Sequence, residues 1–101
     1  MYSRVTLLEI DTVRTSMEDA LGLFTERVLP QLRELDGYEG VLVLTTPDGK
    51  GQIVSFWDSE VAVEGAVPFA VEELERYVTL FSAPPGREHY EVAYADLPIV
   101  A

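Results

Sequence analysis

The sequence contains no cysteine, one histidine and one tryptophan, and its seven lysine and arginine residues face eighteen acids. Without cysteine, the chain forms neither disulfides nor thiolate metal sites. The formal net charge of −11 repels polyanions, so neither nucleic acid nor an anionic membrane is an expected partner. No apolar run is long enough to span a membrane and no leader pattern opens the chain, so a cytoplasmic protein is expected.

Hydrophobic spacing predicts six elements within one domain, residues 1–101. Apolar and β-branched runs predict strands at 4–10, 38–46, 52–57 and 87–95. Steps of three and four predict a first helix with the stripe Met17, Leu21, Phe24, Val28, Leu32 and Leu35. A second helical region, which Asp58 or Ser59 can cap, is interrupted at Gly65 and Pro68. One face of its second piece carries Val67, Val71, Leu74, Val78 and Phe81.

Local signals add detail to the ends of these elements. Thr15 or Ser16 can cap the first helix, each with an acid three residues later. Pro30 removes a backbone donor inside the apolar stripe, which predicts a kink between residues 26 and 30. Gly37 fits the left-handed position after the last helical turn.

The order β-α-β-β-α-β predicts an α+β, ferredoxin-like fold, in which a four-stranded antiparallel sheet carries both helices on one face. The strands are nevertheless apolar on both faces, with Val41 and Val43 on one and Leu42 and Leu44 on the other. A sheet with one wet face alternates apolar and polar residues. We therefore expect a second copy to cover the open face in an isologous homodimer, extended by residues 97–101. A monomer with an apolar open face is the alternative.

With this architecture, the sequence resembles a known family. Residues 17–46, MEDALGLFTERVLPQLRELDGYEGVLVLTT, resemble the helix-to-strand stretch of the dimeric α/β-barrel proteins, and more narrowly of the antibiotic-biosynthesis-monooxygenase-like (ABM-like) domains. The matching turn is Leu35, Gly37, Tyr38 and Gly40. FWDSEVAVEGAV is similar to the family's strand-end tryptophan and acidic helix start, and HYEVAYA resembles its closing strand.

The resemblance spans nearly the whole chain and implies a ferredoxin-like fold that pairs sheet to sheet in a dimeric α/β barrel. Members include cofactor-independent oxygenases of quinols and polyketides, haem-degrading enzymes, and proteins without known activity. The implied function is a homodimeric, cofactor-independent monooxygenase for an aromatic or quinol-type small molecule. A non-catalytic dimeric module that binds a small apolar ligand, or that serves in assembly, is the alternative.

The family's functional residues transfer only in part. Trp57 matches the tryptophan that often borders the family pocket. Several quinol-oxidising relatives carry a histidine nine residues later, where this chain has Ala66. Haem-degrading relatives hold iron with a histidine in the second helical region, and none lies between Trp57 and Ser82. The asparagine that such enzymes offer on the first strand has no counterpart, because the chain contains no asparagine.

Aromatic side chains are the candidate walls of a ligand pocket. They come from both helical regions and from the strand ends, and are Phe24, Trp57, Tyr77, Phe81 and Tyr90, with Tyr94 further along the last strand. Together they can enclose an apolar cavity for a planar ligand, with tyrosine and tryptophan supplying oriented hydrogen bonds. Ordinary core packing is the alternative.

His89 and Tyr77 are the candidate catalytic residues. Histidine side chains titrate near neutrality and act as general bases, although a histidine on a strand face or at a dimer edge needs no such role. No metal site is expected, because Glu88 points away from His89 and Glu91 on the predicted last strand.

Overall fold

The computed structural model describes residues 1–97, so the expected contribution of residues 98–101 to a dimer contact lies outside the described chain. The described elements follow in the order β1 (Tyr2–Glu9), α1 (Met17–Leu23), α2 (Leu29–Leu32), β2 (Tyr38–Thr45), β3 (Lys50–Trp57), α3 (Glu60–Gly65), α4 (Val67–Arg76) and β4 (Gly86–Glu91). A π-helical turn, Phe24–Val28, joins α1 to α2, and a 3-10 turn, Val78–Leu80, follows α4.

The four strands form one antiparallel sheet in the order β2-β3-β1-β4. Both helical regions pack against the same face of this sheet, where their side chains and those of the strands enclose a common interior. The predicted ferredoxin-like α+β fold is therefore confirmed. Its two central strands, β1 and β3, place their inward side chains directly beneath the helices.

The first helical region is continuous but changes its winding before Pro30. The backbone N–H of Leu29 donates to the carbonyl of Phe24, five residues earlier, which makes the intervening segment a π-turn. Pro30 then lies in the first turn of α2, where a missing backbone donor costs little. The predicted kink thus takes the form of a π-bulge, a feature frequently found at functional sites.

Both helical regions begin at a serine. The Ser16 hydroxyl accepts the backbone N–H of Asp19 at 3.0 Å, and the Ser59 hydroxyl accepts that of Ala62 at 3.1 Å. Each bond satisfies one of the free donors of a helix start. Of the alternatives that the sequence left open, Ser16 and Ser59 are therefore the caps.

The last strand is shorter than the sequence pattern suggests. We expected a strand over residues 87–95, but β4 ends at Glu91, which lies opposite Tyr2. One more backbone bond follows, from the N–H of Val92 to the carbonyl of Met1 at 2.9 Å. The ladder ends where β1 begins, so the strand prediction for residues 92–95 was wrong.

The face of the sheet away from the helices carries apolar side chains, as the two-sided pattern predicted. Leu7 and Leu44 are 48% and 50% exposed there, and Leu42, Val54 and Phe56 are half-buried. Large apolar side chains grouped in this way on an exposed sheet face are typical of an interaction surface.

Gly37 joins the first helical region to β2 in the left-handed conformation, with φ of +80°. Its carbonyl accepts the backbone N–H of Asp58 at 2.9 Å, which ties this turn to the end of β3. A Cβ at residue 37 would collide with Ala62 and Asp58. The position therefore requires glycine for both its conformation and its space.

We expect Gly37→Ala to lower the free energy of unfolding by about 1–3 kcal/mol, because the new side chain is strained in this conformation. Gly22→Ala is the matched control. Gly22 lies in α1 with open space around the site of a Cβ, and alanine there should raise stability by up to about 1 kcal/mol. Urea unfolding followed by circular dichroism measures both changes. Equal effects of the two substitutions would contradict the role of the turn.

Candidate functional site

The space between the sheet and the helices is not completely filled. It holds a cavity of about 150 Å³ whose walls come from β1, β2, β3 and both helical regions. Its lining is almost entirely apolar, and the predicted stripe of the first helix contributes Met17, Leu21, Phe24, Val28 and Leu32. An apolar cavity of this size holds a single benzene-sized ring.

Trp57 is 1% exposed and forms part of this wall. Its indole N–H donates to the hydroxyl of Ser55 at 2.9 Å, and its ring meets that of Tyr38 edge-on at a centroid distance of 5.8 Å. The Ser55 hydroxyl in turn donates to the backbone carbonyl of Arg4 at 3.5 Å. Because its only donor is used within the protein, Trp57 offers a ligand an apolar surface and no hydrogen bond.

The structure brings most of the predicted aromatic residues together. Phe24, Trp57, Tyr77 and Phe81 all line the cavity. Tyr90 does not, because it lies opposite Ser3 in the ladder, on the face away from the helices, and is 52% exposed. The prediction that it is a wall of the same cavity was wrong. Tyr94 follows the end of β4 and is also exposed.

Arg4 is the first of two charged residues in this apolar space. It lies on β1 directly opposite Ser55 of β3, and its residue is only 3% exposed. None of its three guanidinium nitrogens has a hydrogen-bond partner among the described residues. Burial, and then the positive charge of Arg87, lower the pKa of the Arg4 guanidinium from its ordinary value. A buried guanidinium without partners is costly, and native proteins rarely contain one without a reason.

Glu73 is the second charged residue in this apolar space. It lies on α4 among the residues that line the cavity and is 7% exposed. One carboxylate oxygen, Oε1, is 3.9 Å from a guanidinium nitrogen of Arg76, while Oε2 has no hydrogen-bond partner within residues 1–97. Arg4 and Glu73 thus line one cavity without a hydrogen bond between them. One positive and one negative charge are therefore available there to a bound ligand.

Sequence reasoning missed this pair, although a signal existed for each member. Arg4 shares its strand face with Thr6 and Leu8, so strict alternation would have placed it inside. Glu73 lies one helical turn from Phe69 and from Tyr77, which also line the cavity. The predicted stripe of this region holds only in part: Leu74 and Phe81 line the cavity, while Val78, in the 3-10 turn after α4, is 54% exposed.

Of the two predicted catalytic residues, Tyr77 lines the cavity and His89 lies outside it. His89 is directly opposite Arg4 in the ladder but on the exposed edge strand β4, and it is not part of the lining. Within residues 1–97, no group of three or more histidine and acidic side chains is placed to hold a metal ion. No helix of the described residues has the length and apolarity to cross a membrane.

The fold and cavity can be compared with known proteins. No family model matches the chain. No curated protein sequence matches it either. Solved structures do match over nearly the full length. A monooxygenase from the gene ActVA-Orf6 of Streptomyces coelicolor, in complex with nanaomycin D, is 24% identical with a TM-score of 0.73, covering 97% of this chain and 92% of that one.

Two further structures extend the comparison. A candidate antibiotic biosynthesis monooxygenase from Deinococcus radiodurans has a TM-score of 0.74 at 17% identity, covering 99% of this chain and all of that one. The heme-degrader MhuD of Mycobacterium tuberculosis, with two hemes bound in its active site, has a TM-score of 0.72 at 14% identity, with coverages of 95% and 99%. The chain has the ABM-like fold.

No histidine lines the cavity, so its walls offer no imidazole to a haem iron. The charged side chains of this site are Arg4 and Glu73, and its other polar side chains are Thr6, Thr45, Gln52, Ser55 and Tyr77.

We expect Arg4→Met to leave the free energy of unfolding unchanged or to raise it by about 1–4 kcal/mol, because an apolar side chain replaces an unpaired buried charge. The matched control is Arg33→Met, at an exposed position of the same residue type, with an expected change within about 0.5 kcal/mol. Chemical denaturation measures both. A loss of several kcal/mol in Arg4→Met would mean that the guanidinium holds the fold together.

Proposed function

We propose that this chain forms a single ABM-like domain that acts as a cofactor-independent monooxygenase on a small aromatic or quinol-type molecule. The observation that carries this proposal is the cavity, which is apolar, beside Trp57 and large enough for one ring, and which contains the two unpaired charges of Arg4 and Glu73. The fold shared with a monooxygenase structure that contains nanaomycin D supports a monooxygenase that binds a small molecule.

The reaction of a quinol with dioxygen requires few functional groups from the protein. A quinol supplies the electrons itself, so that quinol and dioxygen give a hydroxyquinone and water. One oxygen atom enters the ring and the other leaves in the water. The site must exclude solvent, orient the ring and stabilise the ring oxygen as an anion while it reacts. The apolar walls and the buried guanidinium meet these requirements.

Oxygen consumption by wild type with a panel of single-ring quinols tests this function. We expect uptake above the uncatalysed rate, and we expect Ala70→Leu to reduce it by about tenfold or more, because the added carbons enter the cavity and displace the ring. Ala93→Leu, at an exposed position away from the cavity, is the control and should retain uptake.

Two outcomes contradict the enzymatic proposal. Uptake by wild type no faster than the uncatalysed rate, across a panel that is shown to bind, favours the second candidate function, a non-catalytic module that binds a small apolar ligand. That candidate rests on the lack of any histidine in the cavity lining. Equal uptake by wild type and Ala70→Leu would place the reaction elsewhere.

We further propose that the protein is a homodimer joined through the open sheet faces, as in a dimeric α/β barrel. Leu7, Leu44 and the half-buried Phe56 lie on that face and are available to a second copy. A self-complementary apolar face is the usual basis of a two-fold interface. The cavity lies on the opposite face of the sheet, so its lining is complete within one chain.

Sedimentation at micromolar concentration measures the assembly. We expect a dimer for wild type and a shift to monomer for Leu7→Glu, because a charge on each copy would be buried in the contact. Val13→Glu is the control, since Val13 is 94% exposed in the turn after β1 and should leave the dimer intact. A compact monomer for wild type would contradict the proposal.

A further inference from the structure

The charges in the cavity define its ligand more narrowly than the apolar walls do. Arg4 contributes one positive charge and Glu73 one negative charge, and each has buried polar atoms without a hydrogen-bond partner in the part of the chain that the structure describes. The surrounding surface is apolar, so neither charge is well solvated. The affinity of a ligand therefore depends on whether both charges are paired or neutralised once the ligand is bound.

A ligand that is already an anion fits this balance poorly. A carboxylate would pair with Arg4, but it would bring a second negative charge into the same apolar space as Glu73. Like charges at close range in such surroundings strongly disfavour each other's ionised form. A neutral ligand without an exchangeable proton fits equally poorly, because it leaves both charges unpaired.

A neutral phenol or enol fits best. Its O–H bond can break, with the proton passing to Oε2 of Glu73, directly or through one water, and with the electron pair remaining on the ligand oxygen. Arg4 then faces a phenolate and Glu73 becomes a neutral acid. No proton is exchanged with the solvent, the total charge of the site is unchanged, and no charge remains without a partner.

Resting on the proposed function, we propose that Arg4 and Glu73 form a proton-transfer pair that selects hydroxyaromatic or enolic ligands and binds them as anions. Arg4 is the residue that recognises the anion, and Glu73 is the residue that accepts the proton. The structural basis is the burial of both side chains, 3% and 7% exposed, in one single-ring cavity with no bond between them.

The charged groups around the pair do not duplicate either role. Arg87 and His89 on β4 are opposite Thr6 and Arg4 in the ladder, but both are exposed and neither lines the cavity. Arg76 on α4 is 3.9 Å from the other carboxylate oxygen of Glu73 and leaves Oε2 free. Arg76 is itself half exposed and also pairs with Glu72 at 3.2 Å.

Three single-ring probes of similar size test the proposal. They are 4-nitrophenol, which can transfer a proton, 4-nitroanisole, which cannot, and 4-nitrobenzoate, which is already an anion. Quenching of Trp57, the only tryptophan and part of the cavity wall, reports binding. The visible absorbance of the nitrophenolate reports ionisation, at a pH where free 4-nitrophenol is mostly neutral.

For wild type we expect 4-nitrophenol to bind about tenfold or more tightly than the other two probes, because only its anion gains a charge-assisted hydrogen bond to Arg4 without facing an ionised Glu73. The bound probe should show the nitrophenolate band. Calorimetry in buffers of different ionisation enthalpy should show no net proton release. Equal affinities for all three probes, or a bound nitrophenol that stays neutral, would overturn the proposal.

The two variants separate the two roles. Glu73→Gln removes the negative charge, so 4-nitrobenzoate should become the tightest of the three probes. Arg4→Met removes the anion site, so 4-nitrophenol should lose its advantage over 4-nitroanisole, which binds as in wild type. An unchanged order of affinities in either variant would contradict the role given to that residue.

Matched controls exclude general effects of charge. Glu72→Gln neutralises the neighbouring carboxylate, which is exposed and outside the cavity, and Arg33→Met removes an exposed arginine. Both should keep the wild-type order of affinities. These binding measurements do not depend on oxygen. A protein that ionises nitrophenol but consumes no oxygen would support the pair and contradict the monooxygenase proposal.

Discussion

One costly constraint acts on the whole fold: the guanidinium of Arg4 is buried on the central strand β1 without a hydrogen-bond partner among the described residues. Burying an unpaired charge opposes folding, so the rest of the molecule must compensate. It does so with a core built around Trp57, Val63 and Leu32, and with a sheet whose strands pair over most of their length. An apolar residue at this position would cost nothing in the same fold. We interpret the charge as a feature retained for a ligand.

Hydrogen bonds fix the main chain of Arg4, from which the guanidinium extends into the cavity wall. The Arg4 carbonyl accepts from Ser55, whose hydroxyl also accepts the indole N–H of Trp57. The backbone of Arg4 is thereby connected to Trp57, one of the two most buried core side chains among the described residues. Across the cavity, Glu73 is carried by α4, and the π-turn places Phe24 and Val28 in the wall of the same space. Strand, helix and π-turn thus converge on one small volume.

The amino-acid sequence predicts much of this arrangement, and the exceptions have physical causes. Periodicity found both helical regions, and Gly37 and Pro30 marked their irregular points. The end of β4 was missed because it depends on where β1 begins, and a strand pattern does not contain that information. Tyr90 was placed in the wrong wall because its face depends on the register with Ser3. Arg4 and Glu73 were missed because a charge on an amphipathic element is ordinarily assigned to the solvent side.

The Arg4 guanidinium is buried without a hydrogen-bond partner among the described residues, and we infer that it binds an anion formed in the cavity. Arginine Nε–H signals in nuclear magnetic resonance spectra measure this directly, with the Arg4 signal assigned by its loss in Arg4→Met. We expect one arginine signal that exchanges slowly with water in the ligand-free protein and shifts when 4-nitrophenol is added. A rapidly exchanging Arg4 signal, or one that 4-nitrophenol leaves unchanged, would contradict this inference.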